Sequence, residues 1–178
     1  FEDRPGRSHP TPWSIRIAGR GTSEDRDALH SRVQDLTRGI EQRLRLHQQV
    51  HKAGSVLVTR VQSEAPGRKG EPTQRLRVEE VLMSREAGSS RGQQGWAWPF
   101  ITSPPRVGDR GVAFLDSLPL WRARTPKEAG RLIGFEPSTR VAEVRRAISE
   151  LSSFGLVPDP ERKSLSDADA GKPRDAGE

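Results

Sequence analysis

The sequence contains no cysteine, and aromatic residues make up only 5% of its 178 positions. Without cysteine the chain forms no disulfide bond, offers no thiolate nucleophile and holds no metal through sulfur. No apolar run approaches the roughly 20 residues that a membrane-spanning helix requires. Disulfide scaffolds, thiol chemistry and transmembrane segments are therefore excluded by the residues themselves.

Hydrophobic residues are also scarce, at 31%, and 17 glycines and 14 prolines dilute them further. Such a composition predicts long loops and tails around one modest core. Its apolar residues are concentrated in a few segments, which favours a single domain over several. We therefore expect an extended arm over residues 1–22, one domain over residues 23–155 and a disordered tail over residues 156–178.

The chain is basic, with 30 Lys and Arg against 24 Asp and Glu and a net charge of +6. A basic balance is typical of proteins that bind nucleic acids or anionic surfaces. Arginine supplies 25 of the 30 basic residues, as in proteins encoded by GC-rich bacterial genomes, and no more than two basic residues are consecutive anywhere. Two interpretations stay open: codon bias and a functional basic face.

Hydrophobic spacing predicts two amphipathic helices around a β module. Residues 23–53 and residues 138–154 carry apolar side chains three or four positions apart, the spacing of one helix face. The first stripe predicts packing against the chain's own sheet, with pairing to another chain as the alternative. Its members are Leu29, Val33, Leu36, Ile40 and Leu44.

Residues 55–135 alternate short apolar strands with polar loops. The strands are predicted in SVLVTRVQ, QRLRVEEVLM, RGVAFLDSL and RLIGF, with a bulge near Glu80 where the alternation slips. A long insertion, residues 84–110, is interpreted as a loop. The predicted fold class is α+β, with a small antiparallel sheet or a partly closed OB-like barrel flanked by an N-terminal and a C-terminal amphipathic helix.

None of the polar clusters has the pattern of a catalytic or metal site. His47 and His51 share a helix face, but two ligands are too few for a structural metal. Glu79 and Glu80 point to opposite faces of a strand, so they do not form an acid–base pair. We therefore expect no catalytic residue, no metal and no cofactor, and an enzyme is the less favoured class.

The dense aromatic cluster Trp96-Ala-Trp98-Pro-Phe100 is the best candidate for function. In an extended chain the two tryptophans project to the same side, and aromatic side chains in polar surroundings are typical interaction hot spots. The alternative is that these rings cover an open end of the barrel. Arg106, Arg110 and Trp121 are expected at the same rim, so the predicted binding residues are these three and the aromatic cluster.

The strand SVLVTRVQ, the strand QRLRVEEVLM and the segment VGDRGVAFLDS together resemble netrin-like modules of the tissue-inhibitor-of-metalloproteinase type. The resemblance covers residues 55–115 and the closing helix over residues 138–154. It implies an OB-like barrel that acts as an extracytoplasmic binding domain, from a GC-rich bacterium. The family's cysteines are missing, including the Cys-x-Cys that engages metalloproteinase zinc, so that inhibition is not implied.

These observations favour a non-enzymatic protein-interaction module, secreted or attached to the cell envelope, whose partner is another protein. The start at Phe1 instead of Met fits the removal of a signal or anchor, or a boundary of the given sequence. One alternative is an OB-like domain that binds nucleic acid through basic and aromatic side chains. Another is an accessory domain of a larger enzyme or toxin.

Overall fold

A computed structural model describes residues 23–86, 89–116 and 120–158 of the chain. The predicted arm over residues 1–22 and most of the predicted tail lie outside these ranges. The chain divides into two compact units, residues 1–39 and residues 40–178. Helix α1 (Ser23–Lys52) begins in the first unit, and its C-terminal part belongs to the second.

The second unit is built around a closed five-stranded barrel. Its strands are β1 (Ser55–Pro66), β2 (Pro72–Ser84), β3 (Gln94–Pro99), β4 (Arg110–Leu115) and β5 (Gly130–Pro137). Around the barrel they follow the order β1-β2-β3-β5-β4, and β4 pairs with β1 to close it. All pairs are antiparallel except β3 with β5, which run parallel.

Strands β1 and β4 are buried on both faces because two layers of apolar residues meet there. Val58 and Phe114 face a cluster formed with the helices, whereas Leu57 and Leu115 face the barrel interior. Because both faces are covered, these two strands carry nearly continuous apolar stretches. Within the second unit, α2 and the C-terminal part of α1 therefore lie on the β1–β4 side.

The helices pack through a small set of apolar side chains. Leu46 and Val50 of α1 lie in the same cluster as Val144 and Ile148 of α2 (Val141–Ser153). A 3-10 turn over residues 138–140 precedes α2, where the sequence predicts the helix start. Val157 is only 5% exposed and packs on this cluster, although the sequence assigns it to the tail.

The predicted packing of the α1 stripe on the sheet is wrong. Within the second unit Ile40 and Leu44 are 60% and 58% exposed, and α1 uses Leu46 and Val50 instead. In the first unit Leu29 and Leu36 are exposed as well. The periodicity predicted the helix correctly but not the face through which it packs.

The α+β class and the barrel are confirmed, and three details differ. The barrel is closed instead of partly closed, and its β3–β5 pair makes it mixed instead of antiparallel. Strand β3 lies inside the segment interpreted as a loop. The predicted bulge is confirmed: Val58 pairs with Glu80 and Thr59 with Val78, which leaves Glu79 as the extra residue.

Candidate binding surfaces

Strand β3 directs both of its tryptophans out of the barrel. Gly95 and Ala97 are buried, whereas Trp96 and Trp98, which alternate with them along the strand, are half-buried. Alternate residues of a strand point to opposite faces, so the small residues face the interior and the rings face outward. The expectation that the two rings project to one side therefore matches this strand geometry.

The tryptophans lie directly opposite arginines on the neighbouring strands. Trp96 pairs with Arg75 of β2, and Trp98 pairs with Arg131 of β5. Side chains opposite each other on one sheet face are close enough to interact. Each ring therefore lies beside an arginine on the outer surface of the barrel.

Phe100 extends this surface beyond the end of β3. Its ring centroid lies 5.6 Å from that of Trp98 at an interplanar angle of 58°. The guanidinium carbon of Arg131 lies 4.4 Å from the Phe100 centroid, within cation–π range. Phe100 is nevertheless 57% exposed. We call Arg75, Trp96, Trp98, Phe100 and Arg131 the aromatic face.

A groove of about 550 Å³ adjoins the aromatic face at Phe100 and Arg131. Arg45 and Lys52 of α1 line its other side. Asp116 also lines it, and a carboxylate oxygen of Asp116 lies 3.5 Å from Nη1 of Arg131. The Phe100 ring therefore borders a depression whose charged lining is mostly basic.

A second charged surface crosses the barrel over three neighbouring strands. Arg60 of β1 lies directly opposite Arg110 of β4 on one side and Arg77 of β2 on the other. Glu79 is shared by two of these arginines: its oxygens lie 3.2 Å from Nε of Arg60 and 2.5 Å from Nε of Arg110. The hydrogen bond from Arg110 is the main cause that lowers the pKa of the Glu79 carboxyl.

The three arginines border a groove of about 890 Å³. Arg91, Ser89 and Ser90 of the β2–β3 connection form its other wall. Glu80 lines it too, and its carboxylate accepts a hydrogen bond from Arg145 of α2 at 2.5 Å. We call the groove between Arg60, Arg77, Arg91 and Arg110 the arginine groove.

The predicted binding residues are divided among several places. Trp96, Trp98 and Phe100 lie together on the aromatic face, whereas Arg110 lines the arginine groove. Arg106 is exposed in a turn, where its backbone N–H donates to the Asp109 carboxylate at 2.8 Å. Trp121 belongs to a 3-10 turn, and its side chain lies outside the described part of the chain.

Sequence reasoning missed two arginines of the aromatic face and three of the arginine groove. They are Arg75 and Arg131 on the first surface, and Arg60, Arg77 and Arg91 on the second. A signal was present on β2, where Arg75 and Arg77 alternate with the apolar Leu76 and Val78. That alternation places both arginines on the outward face. The aromatic neighbour of Arg75 is Trp96 on β3, so only the strand order reveals that combination.

Of the two histidines considered as metal ligands, His47 takes part in an ion-pair cluster. His47 lies with Nε2 2.8 Å from a Glu150 oxygen, and Nη2 of Arg43 donates to the other oxygen at 2.5 Å. The pKa of the Glu150 carboxyl is lowered mainly by the hydrogen bond from Arg43 and next by the hydrogen bond with His47. Within the ranges that the structure describes, no three His, Asp or Glu side chains group as a metal site.

Neither helix of the described chain has the length and apolar character of a membrane span. Comparison of the sequence with protein-family models gave no match, and comparison with curated proteins gave no match.

Proposed function

We propose that the protein is a non-enzymatic protein-interaction module, secreted or attached to the cell envelope, and that it binds its partner through the aromatic face. The netrin-like resemblance of residues 55–115 suggests this class and this location. The strand order, with its parallel β3–β5 pair, supports an OB-like assignment of the barrel.

The observation that carries the proposal is the pair of outward-facing tryptophans. Trp and Arg are the residues that most often dominate binding energy at protein interfaces. Here Trp96, Trp98 and Phe100 lie beside Arg75 and Arg131, and Phe100 is largely exposed. The helices cover the β1–β4 side, so this face is the apolar-rich surface that the barrel offers a partner.

The test compares the wild-type protein with Trp96→Ala/Trp98→Ala and with Phe154→Ala. Phe154 is 78% exposed beyond the end of α2 and serves as the matched aromatic control. Each tagged protein is incubated with an envelope fraction of the producing cells, and captured proteins are quantified by mass spectrometry. We expect one partner to be retained by wild type and by Phe154→Ala and to fall at least roughly tenfold with the double variant.

Equal capture by all three proteins, with unchanged circular dichroism spectra, would show that the aromatic face is not the binding surface.

A second candidate function is the binding of single-stranded nucleic acid. It is favoured by the pairing of each tryptophan with an arginine across the strands, because ring stacking and phosphate contacts act together in such sites. Titration of tryptophan fluorescence with oligothymidine at low and high salt separates the two functions. Quenching that weakens with salt favours the nucleic acid, and no quenching at low salt excludes it.

A further inference from the structure

Three arginines of the arginine groove lie next to one another on adjacent strands, and their mutual repulsion lowers stability. Arg110, Arg60 and Arg77 are direct neighbours on β4, β1 and β2, and like charges at opposite positions of a sheet repel one another. Arg60 and Arg110 remain 51% and 49% exposed, so their guanidinium groups are accessible to a ligand.

A single carboxylate neutralises only part of this charge. Glu79 accepts from Arg60 and Arg110, and among the described residues Arg77 and Arg91 have no acidic partner. Glu80 is engaged by Arg145 at the edge of the groove. The groove therefore keeps a surplus of positive charge, with two arginines whose donors are free for a ligand.

The lining of the groove also indicates the kind of ligand. Its lining consists of arginine, serine, glutamate, glutamine, glycine and valine residues, and no aromatic ring lines it within the described part of the chain. A base or a sugar ring would find no stacking platform there. Guanidinium groups instead match the oxygens of phosphate in paired hydrogen bonds.

We propose that the arginine groove is a binding site for a multiply charged phosphate chain, such as inorganic tripolyphosphate. Arg77 and Arg91 bind the chain from two sides, and Arg60 and Arg110 add charge from the next strands. The volume of about 890 Å³ lies within the usual range of small-molecule sites and exceeds the need of a single phosphate ion. This site is separate from the aromatic face and does not depend on the proposed function.

The first test is isothermal titration calorimetry of the full chain with tripolyphosphate at low salt. The test variant is Arg77→Gln/Arg91→Gln, and the matched control is Arg146→Gln, an exposed arginine of α2 that does not line the groove. Because charge-assisted hydrogen bonds are lost, we expect the affinity to fall roughly tenfold or more in the test variant. The control should bind as wild type does.

The second test changes the affinity in the opposite direction. Glu79→Gln removes the carboxylate that competes for Arg60 and Arg110, so tripolyphosphate should bind more tightly than to wild type. An unchanged or weaker affinity in this variant, with its fold intact, would contradict the proposal.

Further titrations separate the phosphate chain from other anions. Sulfate and orthophosphate should bind more weakly because each engages fewer guanidinium groups. Equal binding of sulfate and tripolyphosphate, tighter binding of a polyglutamate peptide, or equal losses in Arg146→Gln and the test variant would each overturn the proposal. No heat of binding with wild type would also overturn it. None of these results bears on capture by the aromatic face.

Discussion

Glu79 shows how one residue acquires its role from an irregularity of the chain. As the extra residue of the β2 bulge, it has no direct partner on β1, and its carboxylate contacts Arg60 and Arg110. In a regular antiparallel ladder, Glu79 would instead lie directly opposite a residue of β1. The bulge thus supplies an acidic neighbour that two adjacent arginines share.

Glu79 should make the stability of the protein depend on pH in a specific window. Its pKa is lowered in the folded state, mainly by the Arg110 hydrogen bond. Its contribution is therefore present above the unfolded-state pKa and is lost as the pH falls through the folded-state pKa. We expect Glu79→Gln to lower the free energy of unfolding at pH 7 by about 1 kcal/mol, with a smaller difference at pH 3.

Urea unfolding at both pH values measures this difference, with Glu41→Gln as the control. Glu41 is an exposed residue of α1 with no ion-pair partner among the described residues. The difference in unfolding free energy between wild type and Glu79→Gln should shrink as the pH falls. A difference that grows would contradict a lowered pKa of Glu79 in the folded state.

Strand β3 is the element that sequence reasoning did not recognise. Its six residues include a glycine and a proline and lie between long polar segments, so local propensity favours a loop. Pairing with β2 and β5 and the contact of Gly95 with Leu120 stabilise it as a strand. These contacts are distant in sequence, and no local pattern reveals them.

Gly95→Ala should destabilise the barrel because there is no space for a methyl group. A Cβ on Gly95 would collide with the backbone oxygen and the side chain of Leu120. Overpacking of this kind costs roughly 1–3 kcal/mol of unfolding free energy.

Gly39→Ala in α1 is the matched control, since nothing lies within 4 Å of a Cβ added there. That change should raise stability by up to about 1 kcal/mol through helix propensity. Equal changes in unfolding free energy for the two substitutions would show that Leu120 does not exclude a larger side chain at position 95.

The sequence predicted the elements of the second unit better than their surfaces. Helix α1, the β1–β2 hairpin and the turn at Gly108 follow from apolar periodicity and from glycine in a left-handed conformation. The arginine groove was missed because Arg60, Arg77 and Arg110 come together only through strand register. Aromatic side chains were identified because they are neighbours in the sequence.

At the scale of the whole second unit, two apolar clusters share the same strands. Val56 and Val58 of β1 belong to the cluster with the helices, and Leu57 between them belongs to the barrel interior. Strand β4 alternates in the same way. The two clusters therefore cannot separate without disrupting β1 and β4.

This sharing predicts that the helix cluster and the barrel unfold together. Ile148→Ala in the helix cluster and Leu132→Ala in the barrel should each cost about 2–5 kcal/mol. Both should lower the urea midpoint seen by tryptophan fluorescence, to which Trp96 and Trp98 of the barrel contribute. An unchanged fluorescence midpoint in Ile148→Ala would indicate two independent cores.

The closure of the barrel determines which recognition modes are open to the protein. Every one of its five strands has a neighbour on each side. Where two neighbours flank a strand, a partner has no free sheet edge to which it could add a strand of its own, the mode in which backbone hydrogen bonds supply affinity and tolerate changes of side chain. We therefore expect the proposed recognition to rest on side chains along these paired stretches, so that single substitutions there would change specificity without altering the scaffold.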